Sequence, residues 1–274
     1  LKVISLGIGV QSTALYYMSS MGEIERADYA IFADTGREKT ATIEYYHKLK
    51  KWQKANNGIP IIKIQYKNLY KDLLNQSNSS GNRFASIPAF SENKTGMLRR
   101  QCTNEYKIIP VDKKIRELYG LVPYQRYPKT EVWYGITLDE MHRMTIPQQK
   151  WKINIYHFMG YKFEYGGVVT KIKGEITRRA GLIVWFEKNN LEIPVKSSCV
   201  FCPYQSDLSW LRLKRNYPKD FKDAIKVDKA IRDSSKRGIK EKIYLHRSCK
   251  PLSEVEFDEL QIDYYGECSG NCHL

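Results

Sequence analysis

The residues of this chain best suited to chemistry are its six cysteines and one glycine-bearing turn. Cys199 and Cys202 form a C-x-x-C pair within Ser197-Ser198-Cys199-Val200-Phe201-Cys202-Pro203-Tyr204, and Cys268 and Cys272 form a C-x-x-x-C pair near the end. Paired spacings in a chain expected in the cytoplasm point to metal or redox chemistry rather than to disulfides. A knuckle followed by proline, with aromatic neighbours, suits half of a zinc or iron–sulfur site. Cys102 stands in Arg99-Arg100-Gln101-Cys102-Thr103, with Lys107 close behind. Two guanidiniums beside a thiol suit phosphate or sulfate recognition and are expected to favour the thiolate. Cys249 belongs to no motif and reads as a buried or free thiol.

The glycine turn is Ser5-Leu6-Gly7-Ile8-Gly9-Val10-Gln11-Ser12-Thr13. Val3 and Ile4 lead into it as a strand, and Ala14, Leu15 and Met18 leave it at helical spacing. Strand, glycine turn and helix start bring free backbone N–H groups and the positive end of a helix dipole to one place, which suits an anion. Gly7 and Gly9 allow close approach to a phosphate, and Ser12 or Thr13 can cap the helix while donating to that phosphate. The pattern is neither a G-x-x-x-x-G-K-[ST] loop nor G-x-G-x-x-G. A tight turn that needs small residues for packing would look the same locally.

Positioning elements follow from the pattern. Four β-type runs are expected at Lys2 to Ser5, Tyr29 to Ala33, Ile61 to Tyr66 and Glu131 to Ile136, with helices at Ser12 to Met21 and Thr40 to Ala55. Such alternation builds a parallel sheet flanked by helices, with ligands at the carboxyl ends of the strands. Asp34-Thr35-Gly36 closes the second run, where Asp34 can cap a helix or meet a nucleotide or metal. Pro110 opens a helix carrying Val111, Ile115 and Leu118. After the fourth run come Gly135-Ile136-Thr137-Leu138-Asp139-Glu140-Met141-His142-Arg143, in which Glu140 and Arg143 share a face as a surface ion pair or as site residues. Gln76 to Asn93, rich in Ser, Asn and Gly, is expected to be a mobile loop, either a lid or an insertion.

Regular alternation stops beyond Met144, so residues 1–146 are expected to form the nucleotide-binding α/β domain and 147–274 a mostly helical, cysteine-containing basic region. Val169, Ile172 and Ile176 recur at helical spacing. Leu208, Trp210, Leu211, Phe221, Ile225 and Ile231 suggest two basic amphipathic helices joined at Tyr217-Pro218, with Trp210 in the core.

The formal net charge is +15, from 45 Lys and Arg against 30 Asp and Glu. Residues 205–250 hold 14 basic and 6 acidic side chains, so over half of the excess lies there. Clustered cations suit a polyanion, because phosphate neutralisation rewards several of them on one surface, although a solvated basic face would have the same composition. No apolar run approaches the length of a membrane span, and the start does not read as a signal peptide. The cytoplasm is therefore the expected compartment.

With these pieces in order, the chain resembles the phosphoadenosine phosphosulfate reductase-like branch of the PP-loop adenine nucleotide α-hydrolase superfamily. SLGIGVQST resembles the PP-loop, and FADTG, RRQCTNEYKIIP, GITLDEMHRM, SSCVFCPY and ECSGNC follow in family order. The resemblance implies a Rossmann-like (HUP) sheet and an adenine nucleotide, ATP or a sulfated one, on Ser5, Gly7, Gly9, Gln11, Ser12, Thr13, Asp34, Thr35, Gly36 and Gly135. It implies catalytic roles for Ser12, Arg100, Cys102, Glu140 and Arg143. It also implies a [4Fe–4S] cluster, or zinc, on Cys102, Cys199 and Cys202 with Cys268 or Cys272. PP-loops usually read SGGxDS, whereas here Gln11 stands at the Asp, Gly7 at the first Ser and Ile8 at the first Gly. The missing Asp removes one possible magnesium ligand. Cluster-bearing reductases have an adjacent cysteine pair where this chain has Cys102 alone.

Three readings follow. The first is an ATP-dependent, adenylating sulfur transferase acting on nucleic acid, DNA or transfer RNA, with a sulfur donor such as a cysteine desulfurase. The second is a sulfonucleotide reductase in which Cys268, in the Glu267-Cys268 pair, attacks sulfate. The third is a non-catalytic nucleic-acid-binding module with structural zinc at Cys199, Cys202, Cys268 and Cys272.

Overall fold

The computed structural model describes residues 1–93, 96–122, 124–174 and 176–258. In chain order the elements are β1 (Lys2–Ser5), α1 (Val10–Met21), β2 (Tyr29–Ala33), α2 (Thr40–Ala55), β3 (Ile61–Ile64), α3 (Leu69–Leu74), β4 (Phe90–Ser91), α4 (Ile109–Leu118) and β5 (Thr130–Trp133). There follow β6 (Lys152–Tyr156), β7 (Tyr161–Glu164), β8 (Val168–Lys171), α5 (Arg179–Lys188), α6 (Asp207–Asn216), α7 (Pro218–Ile231) and β9 (Ile243–Tyr244). They fall into two units, one of Leu1–Ala33, Ala41–Ile64 and Val111–Ser197, the other of Asp34–Thr40, Gln65–Pro110 and the residues from 198 on. Among the described residues no helix is long and apolar enough to cross a membrane.

The first unit is an α/β layer structure around a seven-stranded sheet of order β3-β2-β1-β5-β6-β7-β8. The first five strands in that order run parallel, and β7 and β8 add an antiparallel edge. Because successive side chains of a strand point to opposite faces, each apolar strand feeds two cores. Ile4, Ala30, Phe32 and Trp133 pack with Leu15 of α1, Leu49 of α2 and Phe186 of α5. Val3, Ile31 and Val132 pack with Val111 and Ile115 of α4 on the other face. Helices on both faces of a parallel sheet in this order make the fold Rossmann-like, with its switch point between β1 and β5.

Several elements differ from expectation. The third and fourth strands stop at Ile64 and Trp133. After Trp133 the chain turns sharply, Ile136 N–H donating to Tyr134 O at 3.0 Å, and it cannot continue the ladder. The expected division at 147 does not coincide with the units, because β6 pairs with β5 and keeps residues 147–197 in the first one. Nor is this region mostly helical. Val169 lies in β8, and Gly166 and Gly167, both near φ +84°, turn the chain between β7 and β8. A Gly-Gly pair between β-type runs is a hairpin signal that outweighs the helical spacing of three residues.

The second unit packs α3, α6, α7 and the antiparallel β4–β9 pair around Trp210, Phe201, Val227 and Leu245. Ser206 caps α6 by accepting from Ser209 N–H, Pro218 opens α7 at the position where its missing N–H is harmless, and Trp210 is fully buried as expected. The stretch 76–93 is not a lid: Phe84, Ala85, Ile87 and Ala89 are buried in this core. Asn78 Oδ1 pins its turn by accepting from Ser80 and from the N–H groups of Asn82 and Arg83.

Candidate functional site

The glycine turn lies at the carboxyl edge of β1, in the first unit. Ile8 is buried and sits at φ +59°, a left-handed conformation that a β-branched residue adopts only when the surroundings force it. Gly9 precedes α1 in an extended conformation without a side-chain cap, and the first turn carries no acidic residue. Thr13 N–H donates to Gly9 O at 3.0 Å, the first bond of the helical ladder, and this end of the helix carries the positive end of its dipole. The strand, glycine turn and helix start follow one another as the sequence suggested, but the expected side-chain cap is absent. Ser12 has a different part from the one expected: its Oγ accepts from Gly7 N–H at 3.1 Å and donates to Gly9 O at 3.4 Å, so it ties the turn together. Thr13 does not cap the helix either, because it lies within α1, whose N-cap position is Gly9 and receives no side-chain bond.

Residues after β5 close on this turn. A Cβ on Gly135 would stand 2.6 Å from Gln11 C and Ser12 N, so only glycine lets the backbones approach this closely. Gln11, 6% exposed, donates from Nε2 to Glu140 Oε2 at 3.3 Å. Arg143 donates to the other oxygen of the same buried carboxylate at 2.6 Å, and 38% of its side chain faces solvent. The pair is therefore not a plain surface ion pair. Asp139 instead serves the scaffold, accepting from Arg179 N–H at 2.6 Å at the start of α5. Ser197 was not singled out by sequence, yet its Oγ lies 3.7 Å from where a Gly9 Cβ would be. Its place directly before the cysteine knuckle was the available signal.

The thiols belong to the second unit. Asp34 Oδ1 accepts from Gly36 N–H at 2.8 Å, a local turn rather than a helix cap. Gly36 has φ +101°, and a Cβ there would fall 2.4 Å from Asn68 Oδ1. Thr35 Oγ1 lies 2.9 Å from Cys199 Sγ and donates to Glu38 Oε1 at 3.1 Å. Lys107 Nζ reaches the same Oε1 at 3.1 Å, whereas Glu38 Oε2 is buried with no partner among the described residues. Burial works against the Lys107 ammonium, but Glu38 and the thiols of Cys199 and Cys102 outweigh it and hold its pKa above the ordinary lysine value. Cys199 Sγ lies 4.0 Å from Glu38 Oε1, Cys102 and Cys199 both act on the Lys107 ammonium, and each of these two thiols also feels Cys202.

The thiolate expected at Cys102 is not favoured. Burial pushes its pKa up, and neither the field of Arg100 nor its hydrogen bond reverses that; Arg100 also lies over the Tyr204 ring at 5.6 Å. Burial, followed by the Glu38 carboxylate, raises Cys199 further. Both are protonated thiols at neutral pH, and a metal would have to displace their protons. Among the described residues no three His, Cys, Asp or Glu side chains are close enough to share one metal ion. Cys268 and Cys272 lie outside the described residues, as does the choice between them. Cys249 is outside any disulfide, and its Sγ donates to Ser91 O at 3.2 Å.

The second unit is also where the charge collects. Asp207, Asp220 and Asp228 are buried and bound internally, Asp220 to Thr40 and Arg37, and Asp228 to the N–H groups of Leu245 and Leu252. The basic side chains of 205–250 are all exposed except Arg232, which is half-buried. Burying the acids leaves this surface more cationic than its composition.

Fold and site together describe a Rossmann-like α/β protein with an uncapped glycine turn at its switch point. No protein-family model matches the chain, and no curated protein matches it significantly.

Proposed function

We propose that the chain is an ATP-dependent, adenylating sulfur transferase of the PP-loop adenine nucleotide α-hydrolase (HUP) type, acting on nucleic acid in the cytoplasm. The observation that carries the reading is the approach of Cys102 and Cys199, from segments almost a hundred residues apart, to the Lys107–Glu38 pair, with Cys202 within electrostatic reach of both thiols. A sulfur-handling group explains this grouping of half-buried thiols and charges better than core packing does. Support also comes from the turn of residues 5–13, whose helix start suits a phosphate, and from the exposed cationic face, which suits a polyanion.

In this reading the N–H groups of residues 10–12 hold the nucleotide phosphates. An acceptor oxygen attacks the α-phosphate, an O–P bond forms, and pyrophosphate leaves. A sulfur nucleophile from a donor such as a cysteine desulfurase then forms a C–S bond as AMP departs with the oxygen. Cys102, Cys199 and Cys202 would hold an iron–sulfur cluster, with Cys268 or Cys272 as fourth ligand, and their donor set fits one. Bound there, a cluster supplies a site to carry or polarise sulfur.

The test is anaerobic purification of the full chain, followed by absorption spectroscopy and analysis of thiolated nucleosides in cells with and without the gene. Expected are broad visible absorption that Cys199→Ser removes, and a gene-dependent thiolated nucleoside. A colourless protein with one stoichiometric zinc and no such nucleoside would overturn the reading and favour a binding module.

A further inference from the structure

The geometry points to a nucleotide turn whose fixed counter-charge is the Arg143 guanidinium and not a protein-held divalent cation, with Gln11 and Glu140 as its positioning residues. This rests on the reading of residues 5–13 as an adenine-nucleotide site. Magnesium asks for oxygen ligands, carboxylates above all, in near-octahedral order. The first turn of α1 offers no carboxylate. Glu140 stands against it, but its two oxygens accept from Gln11 at 3.3 Å and Arg143 at 2.6 Å. The residues here do not fit a magnesium ion.

Their arrangement does fit a second purpose. Glu140 is 4% exposed, and a buried carboxylate is tolerated when it is paired and hydrogen-bonded. Gln11 supplies one such bond without adding charge. An Asp at position 11 would set a second carboxylate against the first, and repulsion would protonate one of them or recruit a cation. Gln11 thus satisfies one oxygen of Glu140 without adding a second carboxylate, and the other oxygen fixes Arg143. One guanidinium N–H is used on Glu140, and the fork geometry leaves others for a phosphate. Two hydrogen bonds connect the first turn of α1 to this cation, and both segments follow neighbouring parallel strands, β1 and β5, at the edge where such sheets bind ligands. Gln11 therefore marks a change of counter-ion, not a damaged site.

The experiment is ATP binding to the full chain by calorimetry, in EDTA and in magnesium. Wild-type affinity should agree within about threefold between the two. Arg143→Met should lose roughly tenfold or more in both, and Gln11→Asp should bind poorly in EDTA and recover at least about tenfold with magnesium. Wild-type binding that requires magnesium, with the requirement removed by Glu140→Gln, would overturn the proposal by making Glu140 a metal ligand. If wild type binds no ATP in either buffer, the nucleotide reading itself falls and the proposal falls with it. The wild-type comparison decides the matter even if a variant fails to fold.

Discussion

Substituting Gly135 by alanine tests the contact against which the glycine turn of residues 5–13 is packed. The new Cβ would lie 2.6 Å from Gln11 C and Ser12 N, both backbone atoms at the start of α1. Ordinary carbon contacts are about 3.5–4.0 Å, so roughly 1 Å of backbone movement is needed, and neither atom can swing aside as a side chain would. Overpacking of this kind costs about 1–3 kcal/mol, and rigid neighbours place Gly135→Ala near the top of that range. Calorimetric melting should show a fall of roughly 5–10 °C. If the turn holds ATP as proposed, displacing it by that distance should also weaken ATP binding by on the order of 100-fold. Gly22→Ala is the control: its φ of +84° is strained for alanine, but nothing lies within 4 Å of the added carbon. It should cost about 1 kcal/mol and leave ATP affinity unchanged. A Gly135→Ala protein that melts with wild type and binds ATP equally would refute the close approach of the β5 segment to the turn.

Two further outcomes follow from buried polar groups. Burial lowers the pKa of His157 to about 4, so the folded chain binds this proton less readily than the unfolded chain, where the value is about 6.5. Stability from this group is fully present above pH 6.5, falls as the pH drops toward 4, and in total changes by about 3 kcal/mol. Urea unfolding of wild type and His157→Phe across that window should show the difference, and parallel curves would exclude the buried neutral imidazole. Asp220 is fully buried and accepts from Thr40 N–H at 2.7 Å and Thr40 Oγ1 at 2.8 Å, with Arg37 at 3.0 Å. Asp220→Ala should destabilise the second unit by about 3–5 kcal/mol in chemical denaturation, and a change under 1 kcal/mol would refute this role.

Local chemistry alone was enough to place β1, β2 and α2 at their observed bounds and to mark the turn between Ser5 and Thr13 as an open helix end. Those features depend on backbone preference and on the period of apolar residues, which neighbours in sequence determine. Membership of the sheet did not follow so directly. The β6–β8 extension depends on pairing with β5, a long-range event, and the Gly166-Gly167 hairpin signal was masked by three apolar residues at helical spacing.

For the candidate site, sequence named residues that the fold brings near one another, but it misjudged the surroundings of some of them. Beside two arginines Cys102 reads as a thiolate, but desolvation is a property of the whole packed unit and it outweighs the charges. Glu140 and Arg143 pair as their spacing suggested, yet only tertiary structure buries the carboxylate and brings Gln11, 129 residues away, onto its second oxygen. Residue types and short spacings thus determined which groups could act, because those are written in the covalent chain. Which of them are buried and which are paired was decided by contacts between distant segments, which exist only once the sheet has formed.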